Sequence, residues 1–175
     1  MTQADRVVEI VPYDKRWPEL FEAERERLSS LAGPRIKDVQ HVGSTAVPGL
    51  AAKSIIDVMV GVDPLLVEQG LVAALGGLGY EYFGEYGIPG RHFFRKGDPR
   101  THHLHWVRWG GEFWTQQIDF RDYLRAFPEE AERYERLKRD LASRFSSDRP
   151  SYTQAKTHFV SDILQKAVWW KSGRP

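Results

Sequence analysis

The segment SIIDVMVGV, Ser54 to Val62, constrains this chain more than any other. It is an apolar run of strand length with one carboxylate, Asp57, set inside it. Side chains along a strand alternate between its two faces. Ile56, Val58 and Val60 therefore share one face, which needs a cover of helices. Ile55, Asp57 and Met59 share the other. A bare carboxylate in apolar surroundings is costly or stays protonated. The Asp57 side must then open onto water, a cation or a hydrogen-bonding cleft, or the carboxylate accepts backbone N–H bonds from a turn.

The residues just before this strand bear on that choice. In HVGSTAVPGLAAK, His41 to Lys53, two glycines and a proline predict a loop in which a short helix can start. Gly43 allows close backbone approach, and Ser44 and Thr45 bring hydroxyls and amides. If the loop turns helical, those amides form a small anion nest. Lys53 adds a positive charge. Phosphate at the loop and a metal at Asp57 would together hold a nucleotide's triphosphate and its divalent cation.

The rest of the chain supplies the frame. Val7 to Tyr13 is β-prone. Trp17, Leu20, Phe21, Leu28 and Leu31 fall at helical spacing with charges between them, and Gly33-Pro34 stops that helix. Ile36 to Val42 reads as a strand. Asp63-Pro64 reads as a helix start, with Asp63 as N-cap, and the helix carries Leu65, Leu66, Val67, Leu71, Val72 and Leu75 to Gly76-Gly77. Tyr80 to Phe83, Arg91 to Arg95 and His103 to Val107 read as strands. Beyond Glu112 the pattern is helical: DFRDYLRAF, then PEEAERYERLKRDLASRF with Pro128 near its start, then DRPSYTQAKTHFVSDILQKAVWW as one last helix and KSGRP as a frayed tail. Mixed elements followed by helices predict an α+β domain, residues 1–175, with a mixed sheet, helices packed on one of its faces and a helical C-terminal part.

At 175 residues the chain can bury a real core as one domain. Its 25 basic and 24 acidic residues nearly balance, which argues against general attraction to nucleic acid or membrane while allowing a local basic cleft. With no cysteine there is no disulfide and no thiolate metal site. No signal-like or membrane-spanning run is seen, so the cytoplasm is the expected location. The six tryptophans read mainly as core or interface anchors, and an exposed Trp169-Trp170 pair would be a candidate contact.

Alternation in HHLHW puts Leu104 and Trp106 on a core face and His103 with His105 on the opposite, open face, with His102 at the strand edge. Beside Asp57 the two histidines could form a two-histidine, one-carboxylate site, suited to zinc, manganese or iron better than magnesium. They could equally hydrogen-bond neighbouring strands or meet a phosphate. Arg91 and Arg95 share a face with Phe93 and could meet a triphosphate or guard an exposed strand edge. Arg121, Tyr123, Tyr152 and Lys156 are helical candidates, and Tyr152 and Lys156, four apart, face the same way. Each also fits a solvated helix face, which is the reading given to EEAERYERLKRD, whose charges sit at salt-bridge spacing.

HVGSTAVPGLAAKSIIDVMV resembles the signature of the GrpB family of bacterial proteins, as do HHLHWV, FRDYLRAFPEEAERYERLK and SYTQAKTHFV. The resemblance runs through nearly the whole chain. It implies a fold like that of the DNA polymerase β-like nucleotidyltransferases, and a functional link to coenzyme A metabolism, because some members are fused to dephospho-CoA kinase. The nucleotidyltransferase pattern is a Gly-Ser turn followed by a strand with carboxylates at i and i+2, which share two magnesium ions. Gly43, Ser44 and Asp57 match it. Met59 stands in the second carboxylate slot and does not ligate magnesium usefully. The resemblance also implies that Arg121, Tyr152 and Lys156 flank a cleft and contact nucleotide or phosphate.

Three functions follow as expectations. The first is a nucleotidyltransferase-like protein binding a nucleotide or phosphorylated small molecule at Gly43, Ser44, Thr45, Lys53 and Arg91. Asp57 with His103 or His105 would hold a divalent cation, magnesium or manganese, or the attacking group. The second is a degenerate relative that binds such a ligand without catalysis. The third is a metal-dependent hydrolase using Asp57, His103 and His105, with zinc as a further candidate.

Overall fold

The computed structural model describes residues 7–32 and 35–173. Five strands form one mixed sheet: β1 (Ile36–Val42), β2 (Ile56–Val62), β3 (Tyr80–Tyr82), β4 (Arg91–Lys96) and β5 (His102–Arg108). Their order across the sheet is β1-β2-β5-β4-β3. All neighbouring pairs are antiparallel except β2 and β5, which run parallel at the centre. Among the described residues six α-helices accompany them: α1 (Trp17–Ala32), α2 (Gln69–Gly77), α3 (Glu112–Ala126), α4 (Pro128–Arg144), α5 (Arg149–Gln154) and α6 (Thr157–Lys171).

The alternation of β2 dictates the layers. Ile56, Val58, Val60 and Val62 join Leu104, Trp106, Phe94 and Val39 in the main core, which also takes Trp17, Phe21 and Leu28 from α1 and Leu75 from α2. Each aliphatic side chain fully buried there contributes about 1.5–3 kcal/mol. Glu24 lies on the same stripe of α1 and is fully buried. Lys96 reaches it from β4 at 2.8 and 2.9 Å, and Arg27 at 3.0 Å. Leu20, in contrast, is exposed. On the opposite face, α3 lies over the far end of β2 and β5, where Met59, Val42 and Val107 pack with Trp114. A second core joins α3, α4 and α6 through Tyr123, Leu124, Tyr134, Ile163 and Ala167.

Several boundaries differ from the sequence reading. Val7 to Tyr13 forms no strand of its own; Val11 makes a single antiparallel bridge to Ala52, and Val8 is buried against Leu141 and Tyr152. Helix α2 starts at Gln69, not at Asp63-Pro64, and Glu68 stands at its N-cap. Residues 64–68 stay outside the helix because Leu65 and Val67 pack on the core while Leu66 between them is exposed, an extended two-residue alternation. The last predicted helix is two, broken at Ala155-Lys156. Strand β4 is interior, so its arginines guard no edge, and His102 begins the interior strand β5. The expected stop at Gly33-Pro34 and the final Arg174-Pro175 lie outside the described residues. No described helix is long and apolar enough to cross a membrane. Trp169 and Trp170 are both exposed, and Trp170 also meets Tyr123 and Phe127 edge-on.

Candidate functional site

Asp57 sits near the start of β2, directly across from His103 on β5. Met59 is paired with His105 two residues further along. The Asp57 Oδ1 atom accepts from His103 Nδ1 at 3.0 Å and from His105 Nε2 at 3.4 Å. A carboxylate can only accept, so both imidazoles present N–H to it. Burial pushes the Asp57 carboxyl upward, but the two histidines outweigh it and hold the group well below the usual carboxylate range. Its side chain stays 26% exposed, towards the cleft. Burial lowers His103, with Asp57 acting against that shift. Its Nε2 and the Nδ1 of His105 are buried without a partner.

The turn before β2 is shaped around this carboxylate. Gly43 has φ +72°, and a Cβ added there would lie 2.6 Å from Asp57 Oδ2. Only glycine fits both the left-handed backbone and the approach. Ser44–Ala46 then forms a short 3-10 turn, the helical start anticipated in the loop.

A cleft of about 760 Å³ opens over this pair, a size suited to a small organic ligand. Of its lining residues seven are Lys or Arg, and Asp57 is the one acidic residue, so the ligand it suits is an anion. Lys53 enters from the segment before β2, Lys138 from α4 and Lys156 from the α5–α6 junction. The Lys53 and Lys156 ammonium groups lie 5.5 and 4.5 Å from the centre of the Tyr152 ring, and Lys138 lies 4.9 Å from that of Tyr134. Lys138 also donates to the Ala51 carbonyl. Burial, with repulsion from neighbouring lysines, brings Lys138 down to about 7 and Lys156 to about 8. Burial likewise lowers Lys53 and pushes the Tyr152 phenol up to about 12.

Lys138 and Tyr134 were not legible as site residues. They belong to EEAERYERLKRD, read as a solvated face. Yet Glu130, Tyr134, Lys138 and Leu141 are all buried on one side of α4. The signal was there in the spacing: Tyr134, Lys138 and Leu141 recur at i, i+4 and i+7, so the lysine sits on the apolar stripe.

On the far side of the cleft, Arg91 and Arg95 flank Phe93 on β4, and both are buried. Arg91 donates to the carbonyls of Glu85 and Tyr86. The Arg95 guanidinium lies 4.2, 4.4 and 5.2 Å from the ring centres of Phe83, Tyr86 and Phe93.

The family profile described as "GrpB protein" matches residues 7–166. The chain belongs to the GrpB family. The crystal structure of conserved protein GrpB from Enterococcus faecalis shares this α+β fold at a TM-score of 0.86, with 36% identity, covering 93% of this chain and 99% of that one. The UPF0157 protein YqkA of Bacillus subtilis is 39% identical over 170 residues, 97% of this chain, and the chain spans 50% of YqkA's length. A dephospho-CoA kinase of Mycolicibacterium paratuberculosis is 29% identical over 191 residues, 93% of this chain and 46% of that protein.

In this GrpB chain two expected contacts do not reach the cleft. Arg121 is buried on α3 and donates to Gln40 Oε1 at 2.6 Å and the His41 carbonyl at 2.9 Å, tying the helix to the edge strand β1. Tyr123 belongs to the second core. Thr45 lines the cleft, but its hydroxyl is engaged by His41 Nε2 at 2.9 Å and is within 3.4 Å of the Ile55 carbonyl. Burial brings that His41 down to about 4. Tyr152 and Lys156 do meet at the cleft, but across a helix break, not along one helix.

The cation pair of the nucleotidyltransferase pattern does not fit these residues. Met59 is fully buried beneath Trp114, so the second carboxylate slot faces a packed core and not the cleft. Asp57 stands alone among cations, with one oxygen taken by two imidazole N–H groups. Among the described residues, no group of three or more His, Asp or Glu is arranged to hold a metal ion.

Proposed function

We propose that this GrpB-family chain binds a nucleotide or similar phosphorylated small molecule, with its phosphate among Ser44, Lys53, Lys138 and Lys156. The observation that carries this reading is the lysine trio. Three ammonium groups, that of Lys138 buried and those of Lys53 and Lys156 half-buried, repel one another around two tyrosine rings, and two are shifted far below their ordinary range. Such an arrangement is unfavourable until an anion enters. Each charge-assisted hydrogen bond to phosphate then contributes about 1.5–3 kcal/mol. The similarity to part of a dephospho-CoA kinase supports a nucleotide-related ligand. Magnesium or manganese, where involved, would arrive on the ligand's own phosphates.

Binding without two-metal transfer is the reading best supported, because Met59 removes the second carboxylate. A second reading, group transfer, is favoured by one observation: His103 donates Nδ1–H to Asp57 and leaves Nε2 unpartnered. That Nε2 is buried, so ligand entry has to open a path to it before it can take a proton from an acceptor hydroxyl that attacks the α-phosphorus and displaces pyrophosphate. The hydrolase reading would require a cation to replace the protons between Asp57, His103 and His105.

Thermal shift with ATP, GTP and CoA-related nucleotides tests the binding. A concentration-dependent rise in melting temperature, absent in Lys156→Met, is expected. No shift with any of them overturns the proposal. Labelled nucleoside triphosphates incubated with a cell extract separate the two readings: a labelled product lost in His103→Ala favours transfer. Metal analysis of the purified protein tests the hydrolase reading.

A further inference from the structure

Apart from Arg100 and Arg149, the cations lining the cleft form two groups, and one is the lysine trio. The other is Arg95 with Arg91 on β4, separated along the strand by Phe93. Arg95 is 7% exposed. Phe83, Tyr86 and Phe93 surround its guanidinium, and the ring contacts favour the cation. Rings, however, supply no acceptors for its five N–H donors. Among the described residues the Arg95 side chain makes no hydrogen bond and no ion pair, and its Nε is buried without a partner. The Nε of Arg91 is likewise unpartnered. Buried guanidinium groups are normally met by carboxylate, phosphate or carbonyl oxygens, because an unmet donor keeps its full desolvation cost.

The third wall of this cage is unusual. Tyr86 has φ +47°, a conformation non-glycine residues adopt rarely, in a turn where Gly84, Gly87 and Gly90 also have positive φ. Arg91 holds that turn by donating to the carbonyls of Glu85 and Tyr86. Strain of this kind, about 1–3 kcal/mol, persists where surrounding contacts enforce it. Here it keeps the Tyr86 ring against Arg95 and at the cleft.

We infer that Arg95, with Arg91, forms a second anion subsite across the cleft from the lysine trio, so the ligand carries negative charge at two ends. The inference rests on the phosphate-binding reading of the lysines and narrows it to a class: a phosphorylated molecule with a second phosphate or carboxylate group. Asp57, the one acidic residue among those lining the cleft, disfavours an anion beside it and leaves the two cationic ends to be read separately.

Crystals soaked in tungstate, an oxyanion surrogate for phosphate with strong anomalous scattering, test this directly. Two peaks are expected, one among Lys53, Lys138 and Lys156 and one on Arg95. The Arg95→Met protein should lose the second and keep the first. A peak at the lysines alone overturns the second subsite and leaves the proposed function standing. A peak at Arg95 alone, or none, overturns both. Arg95→Lys keeps the charge without the planar fork and serves if the methionine variant does not fold; retention of the peak at full occupancy in that variant would show that charge alone, not the caged fork, makes the subsite.

Discussion

His103 Nδ1 lies 3.0 Å from Asp57 Oδ1, directly across the parallel register of β2 and β5. The contact makes a carboxylate tolerable in the middle of the sheet. It also sets the tautomer of the histidine, and it places the pair under a cleft whose other charges are positive. Asp57→Asn should therefore have two effects. The stability that Asp57 contributes is present above its unfolded pKa of about 3.9 and is lost as pH falls through its lower folded value, so the variant loses that part of the acid dependence. Anion affinity should rise several-fold, because a like charge leaves the cleft. Acid unfolding curves and titration with sulfate check the two; unchanged affinity would remove Asp57 from the site.

Gly43→Ala tests the approach of turn to carboxylate. The new methyl would need left-handed backbone and would meet Asp57 Oδ2 at 2.6 Å. A loss of at least about 2 kcal/mol is expected in denaturant unfolding. Gly49 also has positive φ but nothing within 4 Å of its added Cβ, so Gly49→Ala should cost less.

Lys138→Met should separate stability from binding. The folded state lowers Lys138 to about 7, so below that pH the fold carries a buried charge it disfavours. Removing it should stabilise the protein at pH 7 by about 1–2 kcal/mol, offset in part by the lost bond to the Ala51 carbonyl. Anion affinity should fall at least about ten-fold. Destabilisation with unchanged affinity would make Lys138 a structural residue.

The sign of the pH dependence follows from the same lysines. Lys138 and Lys156, near 7 and 8 in the fold and ordinary in the unfolded chain, make the unfolded state hold more protons above those values. Stability contributed by these groups should rise with pH from about 7 towards 10. Anion affinity should do the reverse, falling as pH rises through 7 to 8, because binding needs the charged forms. Sulfate, whose own charge is constant over this range, is the suitable probe. Affinity that rises with pH would contradict the lysine assignment.

Met59 gives a contrast within one strand. Met59→Leu should be tolerated at a cost below about 1.5 kcal/mol. Met59→Asp restores the two-carboxylate spacing but buries a charge beneath Trp114 and Val42. It should lose about 3 kcal/mol or more and gain no metal-dependent activity. Thermal denaturation with a transferase assay checks both.

What could be read in advance followed from strict periodicity. The period of two in β2 and β5 put Asp57, His103 and His105 on one open face, and the main core on the other. Gly43 announced a close approach. Where a second influence competes with pattern, the reading failed. The apolar Leu65 and Val67 looked helical, yet each packs singly on the core from extended chain. Arg121 looked like a ligand contact, but its partners, Gln40 and the His41 carbonyl, lie about eighty residues away in sequence and meet it only through the docking of α3 on β1. Lys138 was hidden by its charged neighbours on α4, because salt-bridge spacing on one face says nothing of the face turned inward. The Arg95 cage needs a turn, Phe83 to Tyr86, to fold back over β4, which no local pattern expresses.

Calorimetric titration of the full chain with ATP, alongside Lys156→Met, is the most direct test of the central claim. The cleft is expected to bind one equivalent, and the variant to bind at least about ten-fold more weakly. Equal affinity in the two proteins, or no heat of binding with ATP, GTP, CoA-related nucleotides or pyrophosphate, would contradict a phosphate site at the lysine trio.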